Sequence, residues 1–522
     1  MSTFKQKSLF AALAGLGVLG VVDSAQAVHI NNDGLGQALI YPYYTVRSTA
    51  SGNNYVTALT VVNTTSAAKV VKVRFLEGKN SREVLDFNLF LSQYDVWTGG
   101  IVPDPAGIGA GLFTKDHSCT TPAVSTSALT PTKFRNGAYV GDTGGDTLDR
   151  TNEGYFEILE MATIVHGSAL EAAVTHVSNL SAPNASTPSC TGLPITAAFP
   201  AGLAEPTGGL FGDASLINVN DGTDFTYDAV PLDGWSNTVQ WTEPGSQLPT
   251  LANVTPKTSV VIENTSTGGE VVRSTWVNGR DAVSAVMMRA DVYNTYTVEP
   301  NLKAATDWIV TMPTKRFYVS VGGGAGTPPF QSNFRNGSCD NIALTYYDRE
   351  EQSPGAITDF SPTTPESRSL CWEANVLTFT GNGGTVTASN VLRSTNYANV
   401  ALDNPWINGW ADLNFPFDPV NFGLTHSLTP APGASSVFDI NSGILSAAAN
   451  VRYFGLPVIG LAVESFTNGL LPPSGGTSVL SNYGGNFIHK YARCIFMAPT
   501  DFPVSPTADV SPALCLDIIQ GP

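Results

Sequence analysis

An all-β chain built as two tandem β-sandwich domains, immunoglobulin-like or jelly-roll, with long disulfide-pinned loops and a few short helices, is the fold class this sequence predicts. Three observations point there. The first is alternation. In Lys-Val-Val-Lys-Val-Arg-Phe, Val71, Val73 and Phe75 share one face and Lys72 and Arg74 the other; Leu85, Phe87, Leu89 and Leu91 oppose Asp86 and Asn88 in the same way. A period of two marks half-buried strands. The second is composition: 42% hydrophobic residues can bury a core, while only 13% are charged, about half the usual share, so Ser, Thr, Asn and Gly must coat the surface. The third is punctuation, with 50 Gly and 34 Pro dividing short apolar runs.

Taken in order, residues 1–27 have the form of an export signal. Lys5 and Lys7 precede the apolar Leu9–Val22, and Ala25-Gln26-Ala27 offers small residues at a cleavage site. Ala38–Val46 reads as a strand, and Pro42 suggests that it lies at an edge. Tyr55–Trp97 reads as an antiparallel meander turning at Asn63–Ala68 and Gly78–Arg82. Gly99–Thr132 is a long excursion, Gly154–Thr163 a strong strand and Ser168–Val177 the best short helix. Pro244, Gly245, Pro249 and Pro256 mark a linker at 246–256 between domains at 28–245 and 257–522. The second domain opens on a hairpin, Ser259–Glu263 with Val271–Trp276. It continues through Asp307–Val321, a flexible Gly322–Pro329 loop, a strand pair at Leu370–Thr380 and Thr385–Leu392, an aromatic stretch at 404–423 and a strand at Leu456–Ser465. Two echoes, Asn63-Thr64 with Asn264-Thr265 and Phe134–Gly137 with Phe334–Gly337, recur at offsets near 200 and suggest a tandem duplication.

Six cysteines, Cys119, Cys190, Cys339, Cys371, Cys494 and Cys515, suit an exported chain with disulfides. Fifteen pairings are open to them, and sequential pairing, 119–190, 339–371 and 494–515, keeps every loop local. Zinc is disfavoured, because no Cys-x-x-Cys occurs and no His stands at ligand spacing from a Cys. The net charge of −17 argues against nucleic acid and anionic membranes as partners. No apolar run after the signal reaches transmembrane length.

Ile40–Tyr44, Phe87–Trp97, Gly154–Met161 and Asp307–Val319 together resemble an uncharacterised group of exported bacterial proteins, through most of the mature chain. The resemblance implies export and a β-rich fold. It implies no activity, ligand or catalytic residue.

Catalytic signatures are missing. There is no Gly-x-Ser-x-Gly elbow, no His-Glu-x-x-His and no phosphate-binding Gly-rich loop opening a helix. His166 and His176 stand near Glu157, Glu160 and Glu171, but Glu157 and Glu160 are three apart and a regular strand turns them to opposite faces. Paired acids for glycoside hydrolysis would be Glu157 with Glu160, or Asp348 with Glu350 and Glu351. The one cofactor that ligand types admit is structural calcium on Asn218, Asn220, Asp221 and Asp224, in a loop equally able to form plain Asx turns. Trp406 and Trp410 are the candidate sugar-stacking or partner surface, with core packing the commoner use of such rings. The leading expectation is an exported, non-catalytic structural or binding protein of the periplasm, outer surface or medium. Its partner would be a second copy, another surface component or a glycan. A secreted polysaccharide hydrolase is the alternative.

Overall fold

The computed structural model describes the chain from Ala27 to Pro499, apart from residues 50, 140, 143, 178–186, 266–267, 320–325, 331–337, 352–365, 382–383, 403–405, 416–425, 441 and 472–478. Residues 1–26 of the expected export signal, Cys515 and the Phe334–Gly337 echo lie outside the described residues. The fold is all-β, and among the described residues no helix is long and apolar enough to cross a membrane. Every pairing between the described strands is antiparallel except Ala374–Thr380 with Tyr397–Ala401.

The first sheet runs His29–Ile30, Val230–Asp233, Ala38–Thr45, Glu153–Ile164, Lys69–Glu77, Glu83–Leu91, Cys119–Thr121, with Leu203–Ala204 added on Glu153–Ile164. The second is ordered Thr223–Asp228, Asp213–Asn218, Val56–Asn63, Val96–Pro103, Ala110–Phe113, Thr132–Lys133. The predicted meander is therefore divided. Lys69–Glu77 and Glu83–Leu91 form a hairpin, but Val56–Asn63 belongs to the opposite sheet and pairs with Val96–Pro103. The buried Asn63 makes the corner. Its amide donates to the carbonyls of Ala67 and Ser92, and its Oδ1 accepts from Thr65. Val71, Val73, Phe75, Phe87 and Leu89 of one sheet share a core with Leu59, Val61, Trp97, Ile101 and Leu216 of the other.

Two further expectations are corrected. Ala38–Thr45 is interior, between Val230–Asp233 and Glu153–Ile164. Pro42 is tolerated because Val230–Asp233 pairs only as far as Ile40, and a register shift between Gly154 and Phe156 skips the proline. The polar faces of the hairpin are not solvated either: all nine residues of Lys69–Glu77 are buried. The chain after Val239 covers that side. Asn88 donates to the carbonyl of Thr242, Lys72 to that of Glu243, and Asp86 accepts from the amide of Gly245. Beneath this cover each charge is matched: Lys69 with Glu160, Lys72 with Asp86, Arg74 with Glu83 and Glu157, Arg150 with Glu77 and Asp142.

The remaining strands form a six-stranded sheet around Gly268–Thr275 and Ile444–Phe454, and a two-residue pairing of Met288–Arg289 with Leu456–Pro457. Two five-stranded sheets complete the set. One of these is ordered Glu366–Leu370, Asp340–Asp348, Asn408–Asn414, Asp291–Thr297, Lys490–Ala492. The other is ordered Tyr397–Ala401, Ala374–Thr380, Ala304–Thr311, Ile459–Leu471, Val479–Ile488. The opening hairpin is present as Thr258–Thr265 with Gly268–Thr275. Its echo in the first half, Val56–Asn63 and Lys69–Glu77, instead spans two sheets. The expected strand at Thr385–Leu392 is a loop, wrapped round the buried carboxylate of Asp307, which accepts from the amides of Asn390, Val391 and Leu392.

The halves share their cores. Ala38, Ile40, Tyr155 and Trp235 pack in one cluster with Val272, Val283, Met312 and Tyr453, and the 246–256 segment contributes the buried Leu251 and Val254 to it. Ile309, Val376 and Leu461 join the core of the first two sheets. The backbone amides of Glu373 and Ala374 donate to the carbonyl of Gly78, and the Thr311 hydroxyl donates to that of Pro42, across the same boundary. Cys119–Cys190 and Cys339–Cys371 are disulfides as expected. Cys494 is also oxidised, and its predicted pair with Cys515 falls outside the described residues.

Candidate functional site

The acids and histidines singled out in the sequence do not converge. Glu157 pairs with Arg74, while Glu160 accepts from Lys69 Nζ, Thr163 Oγ1 and the amides of Thr207 and Gly208. Glu171 closes a capping arrangement on the short helix Ala169–Val174: its amide bonds Ser168 Oγ and its carboxylate takes the amide of Gly167. His166 is solvent-exposed beside it, whereas His176 faces Ser92 and Asp95. Asp348 caps the turn amide of Glu350. In the calcium candidate, both Asp221 carboxylate oxygens accept hydrogen bonds, from Thr49 and Asn53, and Asn218 Oδ1 accepts the Asp221 amide. Asn220 donates to Asn53, and Asp224 lies next along the strand Thr223–Asp228. That loop ties the 47–54 turn to the hairpin strand Val479–Ile488, since Asn482 donates to the carbonyl of Asp221. Among the described residues, no three His, Cys, Asp or Glu side chains are arranged to hold a metal.

The two tryptophans part company. Trp406 is 6% exposed and packs edge-on against Tyr346. Trp410 is 41% exposed, and its ring lies flat on Tyr347, with centroids 4.4 Å apart and planes 15° apart. It walls an open groove of about 600 Å³ with Tyr293, Asn294, Thr295, Asn486, Phe487, Ile488 and Lys490. Phe487 and Ile488, both solvent-exposed, overhang from the edge of the neighbouring five-stranded sheet.

The groove exists because Lys490–Ala492 pairs only with Asp291–Tyr293, leaving the rest of Asp291–Thr297 without a neighbour on that side. Its exposed backbone is satisfied by side chains. Thr295 N donates to Asn294 Oδ1, Trp308 Nε1 donates to Thr295 O, and Thr306 Oγ1 bonds both the amide and carbonyl of Thr297. The edge is thereby closed to a further strand. The other sheet margins among the described residues include stubs of two or three residues, His29–Ile30, Thr132–Lys133 and Cys119–Thr121.

Two groups beside the groove have displaced acidities. Asp412, across from Tyr293 in the sheet, is pushed up to about 7 by burial and by the charge of Asp291. His489 is buried beneath Asn294. Its Nδ1 is 3.0 Å from Asn294 Nδ2 and its Nε2 3.0 Å from the carbonyl of Ile309, which sets the Nε2–H tautomer. Burial lowers it to about 4. The imidazole stays neutral when folded but takes a proton when unfolded below its ordinary 6.5. Stability is therefore present above pH 6.5 and lost as pH falls from 6.5 toward 4, by about 3 kcal/mol in total. Melting curves of the wild type and His489→Gln across pH 7 to 4 check this: their difference should shrink steadily on acidification. A constant difference would show that His489 does not titrate in that window.

No protein-family model matches this chain, and no curated protein or solved structure does so. The fold and the groove are the ground for a functional reading.

Proposed function

We propose that this is an exported, non-catalytic binding protein of the periplasm, outer surface or medium, and that its Trp410 groove takes a neutral saccharide. The observation that carries the reading is the exposed indole held flat on Tyr347. A ring fixed from behind presents its face without a further ordering cost, and the C–H face of a pyranose fits such a surface. Lys490 stands beside it as a donor for sugar hydroxyls. Oxidised cysteines and the export signal support the compartment. The filled and shortened sheet edges favour a ligand in the groove over self-assembly by strand addition.

Tryptophan emission titrated with a panel of neutral oligosaccharides tests the reading. At least one member is expected to shift it, and Trp410→Ala is expected to weaken that member about tenfold, the worth of one aromatic stacking contact. A panel that leaves the emission unmoved, or binding indifferent to Trp410, sinks the proposal. The hydrolase alternative has its best support in Asp412 and Asp291, which share one sheet face beside Tyr293. New reducing ends released from a bound polysaccharide, and lost in Asp412→Asn, would select it instead.

A further inference from the structure

Lys315 and Asp340 form a pair unlike the other buried ion pairs of this chain. Both side chains are fully buried, with Nζ 3.0 Å from Asp340 Oδ2. Lys69 and Glu160 are equally buried, but there Nζ is bonded to both Glu160 Oε1 and Thr207 Oγ1. Lys315 Nζ has one hydrogen-bond acceptor among the described residues, the carbonyl of Leu370 at 3.3 Å, and otherwise faces the ring of Phe330 at 5.5 Å. The buried His426 places Nε2 at 3.7 Å from Asp340 Oδ1. The site is thus an amine, a carboxyl group and an imidazole sealed from water and held in contact.

We propose that Lys315 and Asp340 condense into an intramolecular amide, a covalent cross-link between the turn at Lys315–Phe317 and the strand Asp340–Asp348. An ion pair shut off from water is costly, and passing the ammonium proton to the carboxylate leaves a neutral amine against a neutral acid. The nitrogen lone pair adds to Asp340 Cγ. His426 Nε2 takes the proton released by nitrogen and returns it to the departing hydroxyl. A C–N bond forms, a C–O bond breaks and one water leaves, with no change of oxidation state. Contact geometry held by the fold raises the effective concentration of the two groups far above any bimolecular value. Glu373 is the other buried acid whose charge reaches Lys315, but its carboxylate is bonded by Ser81. The link is independent of the Trp410 groove.

The test is a tryptic digest of the folded full-length protein after reduction and denaturation. The expected product is a branched peptide joining the Lys315 and Asp340 segments, lighter than their sum by one water. Lys315→Arg, which keeps the charge but cannot form the amide, should give the two segments separately, and His426→Ala should leave part of the protein unlinked. Separate linear peptides from the wild type, or a branch ending on Glu373, would overturn the assignment. Complete linkage in His426→Ala would remove the imidazole from the mechanism.

Discussion

Replacing Arg74 by Met should destabilise the folded chain by about 3–5 kcal/mol, the usual cost of leaving a buried charge without its partner. Arg74 is fully buried and reaches Glu83 at 2.7 Å and Glu157 at 3.1 Å. Burial already raises the pKa of Glu157, and the guanidinium is the main force holding it down. Without Arg74 that carboxyl rises further, so the deficit should be largest near neutral pH and should shrink on acidification, when Glu157 can be buried as a neutral acid. Arg74→Met combined with Glu157→Gln should regain part of the loss, because an amide tolerates the site better than an orphaned carboxylate. Urea midpoints of the three proteins at pH 5 and pH 8 measure all of this. Equal loss at both pH values, or no recovery in the double variant, would mean that packing rather than charge governs the site.

Opening Cys119–Cys190 should cost about 4 kcal/mol. The bridge spans a sequence separation of 71 residues, and closing a loop of that length removes this much entropy from the unfolded chain. It fastens the short edge strand Cys119–Thr121 to the segment that folds back on Ala173 through the amide of Cys190. The Cys119→Ala, Cys190→Ala double variant should lower the urea midpoint and steepen the slope, because the unlinked unfolded chain exposes more surface. An unchanged midpoint would show that the region is already ordered in the unfolded reference.

How much of this was legible in the sequence follows from what short-range patterns can encode. Alternation located Lys69–Glu77, Glu83–Leu91 and Glu153–Ile164, and spacing gave the two disulfides seen here. Alternation cannot say what covers the second face. Lys72 and Arg74 read as solvated because a lone strand shows no sign that Thr242–Gly245 will lie over it. The helix Gly279–Met287 was missed because it has only nine residues, too few for a helical period to stand out from its neighbours. Trp410 was named, but its companions Tyr293, Phe487 and Ile488 come from distant strands, and only sheet topology unites them. Asp291 and Asp412, 121 positions apart along the chain, meet for the same reason.

The contacts of Asn482 and Asn486 carry a consequence for the order of assembly. These two side chains donate to the carbonyls of Asp221 and Thr226 at 2.6 Å, covering the rim strand Thr223–Asp228 with residues made more than 250 positions later. A nascent polypeptide emerging amino end first would hold that rim bare until those later residues had been made. A passage across a membrane as a loose thread, with collapse postponed to the far side, would spare it that interval.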